Sequence, residues 1–215
     1  MAQIFPEWTN KLPTIIAISV VVMGMAVIGL VWYYFSPSYY AVGYRPVQPV
    51  AYSHKLHADD LGLDCRYCHT SVEASPHANV PSTQTCMNCH KLILTESEKL
   101  LPVRESFAKN EPIEWIRVHK VGDYAYFHHA AHMRVGVGCA SCHGQVNLMP
   151  LVTQQEPLSM GWCLECHRDP TDHLRPHKEL TNMDWSPPEN QAELAARMIK
   201  EKKIAPPTDC SGCHR

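Results

Sequence analysis

Hydrophobic and polar positions divide the chain into two unlike parts. After Lys11-Leu12-Pro13 runs TIIAISVVVMGMAVIGLVWYYF, Thr14 to Phe35, without one charged residue. These 22 residues would rise about 33 Å as a helix, enough to cross the hydrocarbon of a bilayer. Trp32, Tyr33, Tyr34 and Phe35 form an interfacial aromatic end, and Pro37 predicts the stop. The run is longer than a signal-peptide core and no small-x-small cleavage pattern follows it, so an uncleaved anchor is expected. Lys11, the one Lys or Arg before the run, votes for a cytoplasmic N-terminus.

Beyond Phe35 sustained apolar periodicity is rare. One helix is predicted over Asn190–Lys203, between Pro stops, and another within the polar segment 96–118, which then becomes a loop. The rest predicts a mostly irregular fold with short α-helices and almost no sheet. Composition agrees, with four phenylalanines against seventeen prolines among 215 residues. A chain so poor in aliphatic periodicity needs another source of buried apolar surface. The net charge of −2 and the lack of any basic run exclude nucleic acid as a partner.

The candidate source lies in the cysteines. Cys65-Arg-Tyr-Cys68-His69, Cys86-Met-Asn-Cys89-His90, Cys139-Ala-Ser-Cys142-His143, Cys163-Leu-Glu-Cys166-His167 and Cys210-Ser-Gly-Cys213-His214 consume all ten. Five copies of C-x-x-C-H read as attachment sites for five covalently bound haem c groups. Two thioethers would hold the porphyrin edge, and His69, His90, His143, His167 or His214 would reach the iron as proximal ligand. A zinc knuckle gives no reason for the fixed histidine. A thioredoxin-like motif occurs once, near a βαβ pattern that is not found here. Five disulfides closing two-residue loops would cross-link little chain. Covalent haem attachment in bacteria takes place outside the cytoplasmic membrane, so a single-pass inner-membrane protein with a periplasmic haem domain is expected.

Nine of the fourteen histidines lie outside the motifs, more than five open sixth positions require. Alignment of YSHKLHADDLGLDCRYCH with FHHAAHMRVGVGCASCH sets His54 on His129 and His57 on His132. A further C-x-x-C-H follows 21 residues on in the first copy and 24 in the second. A two-haem unit is thus duplicated. The expected organisation is a tail (1–13), the transmembrane anchor (14–35), a Pro/Tyr-rich connector (36–50), a first two-haem module (51–95), a linker (96–118), a second two-haem module (119–170) and a C-terminal segment with the fifth motif (171–215).

H-x-x-H shortly before C-x-x-C-H resembles the small multihaem cytochromes of the c3/c7 type. The resemblance implies that the first histidine caps the haem next in sequence and the second caps the one after. His54 would then serve the motif of His69, His57 that of His90, His129 that of His143 and His132 that of His167. For the fifth motif the distal ligand is expected upstream of His214. His119 is the first choice, His77 the second, and Met149 the alternative, whose thioether would raise the potential. His128 reads as a neighbour of the real ligand, and His173 and His177 flank a proline-rich loop. Trp115, Trp162, Trp185, Tyr67 and Tyr126 read as packing residues.

The stretches DCRYCHTSVE, VPSTQTCMNCH, YFHHAAHMRVGVGCASCHG and PLSMGWCLECHRDP resemble the pentahaem cytochrome c subunit of bacterial alternative complex III. That resemblance implies an electron-transfer subunit of a quinol-oxidising respiratory complex, with no catalytic site of its own. Its implied partners are polytopic membrane subunits, an iron–sulfur subunit, the lipid bilayer, and a monohaem cytochrome c or terminal oxidase as acceptor. The alternative is a self-contained NapC/NrfH-type quinol dehydrogenase, whose first haem works at the bilayer surface. The 29 residues between Phe35 and Cys65, with a proline-rich connector, argue against it. A catalytic reductase would need an open iron and usually an altered motif, and all five motifs are regular.

Overall fold

The computed structural model describes residues 4–214; residues 1–3 of the expected tail and Arg215 lie outside them. The chain divides into two compact units, Met1–Tyr40 and Ala41–Arg215. The division falls inside the segment read as a connector.

In the first unit, a 3₁₀ turn over Glu7–Lys11 leads into helix α1, Leu12–Tyr34. Pro13 sits in its first turn, where its missing N–H costs nothing. The 23 residues of α1 rise about 35 Å, and none is buried within the unit. Uniformly apolar and uncharged, it is long enough to cross a membrane. The short helix α2, Pro37–Tyr40, follows, and Tyr33, Tyr34 and Tyr39 pack ring to ring at 4.8–5.3 Å.

The second unit is built of short helices: α3 (Cys65–Cys68), α4 (Thr83–His90), α5 (Leu101–Lys109), α6 (His129–Val135), α7 (Ala140–His143), α8 (Met160–Arg168), α9 (Gln191–Lys202) and α10 (Cys210–Cys213). Among the described residues there is no strand, only two isolated antiparallel bridges, Ala125–His214 and Val137–Leu174. A π-type turn covers Lys55–Asp60, closed by Leu61 N–H to the Leu56 carbonyl at 3.1 Å. Such wide turns are frequent at functional sites.

Aliphatic packing is confined to two small clusters. One joins Val50, Met87 and Val103, with Trp115 and Ile113 against it. The other joins Val137, Leu174, Ala195 and Met198 and is made by α9, whose Leu194, Ala195, Met198 and Ile199 fall on one helical face. The largest fully buried side chains are Leu174 and Leu180. A unit of this length held by so little aliphatic core fits the expectation that another apolar body fills it.

Two glycines show how tightly the second cluster closes. Gly136 ends α6 with φ +112°, and a Cβ there would meet the Met198 methyl and the Arg175 carbonyl. Gly138 lies beneath the Arg175 guanidinium, which stacks 4.3 Å over the Trp185 ring.

Candidate haem-binding site

Each C-x-x-C-H sits on about one helical turn. Positions i and i+3 share a face, so both sulfurs of a motif point one way while the histidine closes the turn. Asp64 caps α3, its carboxylate accepting from Arg66 N–H at 2.9 Å, and Asp209 caps α10 by accepting from Gly212 N–H at 3.0 Å. Ser159 caps α8 through Trp162 N–H. Arg66 and Thr181 also donate to Asp64, and the Arg66 hydrogen bond holds its carboxyl well below the usual range. The ten cysteines form no disulfide with one another.

The imidazoles are oriented one by one. Nδ1–H of His69 donates to the Asn79 carbonyl at 2.6 Å, that of His90 to Ile93 at 3.1 Å, and that of His167 to Pro207 at 2.7 Å. Among the spare histidines, His57 donates to the Ser53 carbonyl at 2.9 Å, His129 to Pro76 at 2.8 Å and His132 to His128 at 2.9 Å. A carbonyl can only accept, so each bond fixes the tautomer with the proton on Nδ1 and leaves the Nε2 lone pair free for a metal.

Several of the rings pair at one recurring centroid separation. A metal–imidazole bond of about 2 Å plus roughly 1.15 Å from Nε2 to the ring centroid, doubled, sets about 6.3 Å between two imidazoles opposed across one metal. His57 and His90 are 6.2 Å apart, His132 and His167 6.1 Å, and His129 and His143 6.5 Å with planes only 7° from parallel. These are three of the four pairs implied by the c3/c7 resemblance. In the fourth, His54 lies close enough to His69 to feel its charge, with its own Nδ1 buried and unpartnered. Burial lowers His54 to about 4 and His143 to about 3, which keeps both neutral, the form that ligates iron. Among the described residues no three His, Cys, Asp or Glu side chains gather as a metal cage. Paired imidazoles beside paired thiols suit haem, whose porphyrin supplies the other four ligands.

The thiols show which motifs adjoin. The Cys65 and Cys139 side chains lie against one another. Cys68 lies beside Cys86 and Cys89, and Asn88 donates to the Tyr67 hydroxyl at 3.3 Å. Cys142 neighbours Cys163 and Cys166, and Cys163 neighbours Cys213. The attachment turns therefore follow one another in the order second, first, third, fourth, fifth. The two modules meet at the first and third, where His129 and Ala130 N–H also donate to Pro76 and Ser75.

Other expectations meet a different geometry. His119, the first choice for the fifth motif, packs 4.3 Å from the His143 ring with its Nε2 buried and unpartnered, and burial lowers it to about 4. Its segment docks on the third motif, and the ring beside His214 is Tyr124 at 5.8 Å. The Met149 thioether accepts from Thr153 N–H at 3.4 Å, held by the packing of Val146–Leu148 on the π-type turn. His77 lies near His129, His128 caps α6, and His177 pairs with Glu73 at 3.5 Å. His173 stands at the end of the turn Thr171–His173, against α9. Sequence reasoning passed over Tyr52 and Phe127, each two residues before the first histidine of an H-x-x-H; that shared offset was the available signal.

Two comparisons with known proteins bear on this arrangement. Residues 131–215 match the cytochrome c3 family. The matched stretch holds the third, fourth and fifth motifs and His132. Over 113 residues the chain is also 33% identical to the menaquinone reductase multihaem cytochrome c subunit of Nitratidesulfovibrio vulgaris. That match takes in 52% of this chain and 51% of the relative, so the chain spans about half the length of the curated relative it matches. A cytochrome c3-type region carries c-type haem bound covalently, and the activity of such multihaem cytochromes is electron transfer.

Proposed function

We propose that this chain is a membrane-anchored electron-transfer subunit with five covalently bound haem c groups, working in a quinol-oxidising respiratory complex of the alternative complex III type. The observation that carries the reading is the recurrence of imidazole pairs with centroids 6.1–6.5 Å apart beside consecutive motifs, the separation expected across one metal. Haem iron, when bound, supplies a one-electron couple. The protein's own residues do the rest. Cys65 and Cys68, Cys86 and Cys89, Cys139 and Cys142, Cys163 and Cys166, and Cys210 and Cys213 would hold the porphyrin edges. His69, His90, His143, His167 and His214 would be proximal ligands, with His54, His57, His129 and His132 opposite the first four.

Nδ1–carbonyl bonds fix the rings of His57, His69, His90, His129, His132 and His167, so a change of charge at the iron would meet little reorganisation of these side chains. The row of adjoining motifs supports a role as a conduit. The uncharged helix α1 supports an anchor in the cytoplasmic membrane, with the haem unit on the periplasmic side. Partners in this reading are polytopic membrane subunits, an iron–sulfur subunit, and a monohaem cytochrome c or terminal oxidase as acceptor.

The matched relative is named for a menaquinone reductase. This favours a second reading, in which the same conduit delivers electrons toward a quinone. Low-temperature EPR of the oxidised holoprotein tests the common core, with at least four low-spin irons carrying two imidazoles each as the expected result. Fewer than four would overturn it. Purifying the chain with its membrane partners and asking whether quinol reduces it, or whether it reduces quinone, separates the two directions.

A further inference from the structure

Tyr52 and Phe127 occupy one position in the duplicated unit, and the structure gives them one geometry. The Tyr52 ring meets His54 nearly edge-on, at 4.9 Å and 88°, and lies almost flat on His57, at 4.5 Å and 20°. Phe127 meets His129 at 4.6 Å and 86° and His132 at 4.8 Å and 28°. Corresponding contacts agree within 0.3 Å and 8°. The backbones beneath them differ, since His57 rides the π-type turn Lys55–Asp60 and His132 the α-helix His129–Val135. The intervening residues differ as well, Lys55-Leu56 against Ala130-Ala131. One arrangement kept on two backbones points to a requirement of the rings themselves.

The second histidine of each pair is pinned twice. Its Nδ1–H donates to the carbonyl four residues back, at 2.9 Å in both copies, and its face lies on the aromatic ring. An imidazole bound only through Nε2 could spin about that bond; a flat neighbour on its face removes the freedom. The same aromatic ring braces the first histidine edge-on, so one side chain relates the planes of two imidazoles that face two different motifs.

We propose that Tyr52 and Phe127 are positioning residues that set the ring planes of the paired distal histidines, Tyr52 for His54 and His57, Phe127 for His129 and His132. The proposal rests on the haem reading above and names residues that reading does not use. The orientation of axial imidazole planes fixes the symmetry of the field at low-spin iron, and the g-values of oxidised protein report it.

The test is low-temperature EPR on full-length holoprotein, with haem content measured alongside, for Y52L, F127L, Y52F and F127Y. Leucine keeps bulk and removes the flat face; the aromatic exchanges keep it. Y52L is expected to shift the g-values of low-spin species from the first module and leave the rest, F127L to do the converse, and Y52F and F127Y to match wild type. Wild-type g-values in both leucine variants would overturn the proposal. Should a leucine variant fail to mature, Y52M and F127M carry the same test, and wild-type g-values there overturn it equally. If wild type itself showed no irons with two imidazoles, the haem reading would fail. A wild-type spectrum that ignores the substitutions defeats the positioning role alone.

Discussion

Replacing His57 with alanine isolates one candidate ligand at a calculable cost. In the structure its ring donates one hydrogen bond, to the Ser53 carbonyl at 2.9 Å, and stacks on Tyr52 at 4.5 Å. The hydrogen bond contributes about 0.5–1.5 kcal/mol and the stacking about as much, so truncation costs roughly 1–3 kcal/mol. A unit of this size is stable by on the order of 10 kcal/mol, and the variant stays folded with its melting temperature lowered by roughly 3–10 °C. The consequence at the site is out of proportion to that cost. With the ring 6.2 Å from His90 removed, a haem held at the second motif would lose its second imidazole. One iron is therefore expected to turn high-spin in EPR while the others stay low-spin, and millimolar imidazole should restore it. H132A should convert one further iron, opposite His167, and the double variant two. H128A is the control. It removes the helix cap that accepts from Ala131 N–H, at a cost of up to about 1 kcal/mol, and should leave every spin state unchanged. An H57A protein whose irons all remain low-spin would refute the opposed-pair argument.

G138A should lower stability by about 1–3 kcal/mol, because its Cβ would fall 2.3 Å from the Arg175 guanidinium and displace its stack on Trp185; a thermal melt within about 0.5 kcal/mol of wild type would discount that clamp. D64N should cost up to about 1 kcal/mol at pH 7 through the half-exposed pair with Arg66, because asparagine keeps an oxygen that can cap α3. Because the folded Asp64 carboxyl is held below its ordinary 3.8, its stabilisation is complete above that value and fades as pH falls through the folded pKa. The gap between D64N and wild-type melting temperatures should thus be constant from pH 7 to 5 and shrink below pH 4; an undiminished gap at pH 3 would contradict this origin. A chain beginning at Ala41 and exported behind a cleavable signal peptide should appear in the soluble fraction with the same haem-to-protein ratio as the full chain, whereas retention in washed membranes would mean that α1 is not the anchor.

The elements that were legible in the sequence are those set by local pattern. The uncharged run Thr14–Phe35 became Leu12–Tyr34, and Asn190–Lys203 became Gln191–Lys202 with those two residues as its caps. The five C-x-x-C-H turns and the two H-x-x-H turns were equally plain, because spacing along one turn decides which side chains share a face. What depends on docking between distant segments was hidden. His129 finds its carbonyl 53 residues away at Pro76, and His167 finds its own at Pro207, 40 residues on. The adjacency of Cys65 and Cys139 comes from the meeting of two modules, so the row of motifs departs from sequence order at its start. His119 was expected at the fifth motif because it stood alone in sequence; its segment instead packs on the third, beside His143. The π-type turn under His57 also escaped a reading based on a 3.6-residue period, although the second copy has the ordinary helix.

The central claim is that every C-x-x-C-H turn of this chain carries its own covalently bound haem. The mass of the intact denatured holoprotein measures that directly. The account predicts the mass of the polypeptide increased by five haems, with no cysteine open to alkylation. A mass short by one or more haems, with a matching pair of alkylated thiols, would contradict it.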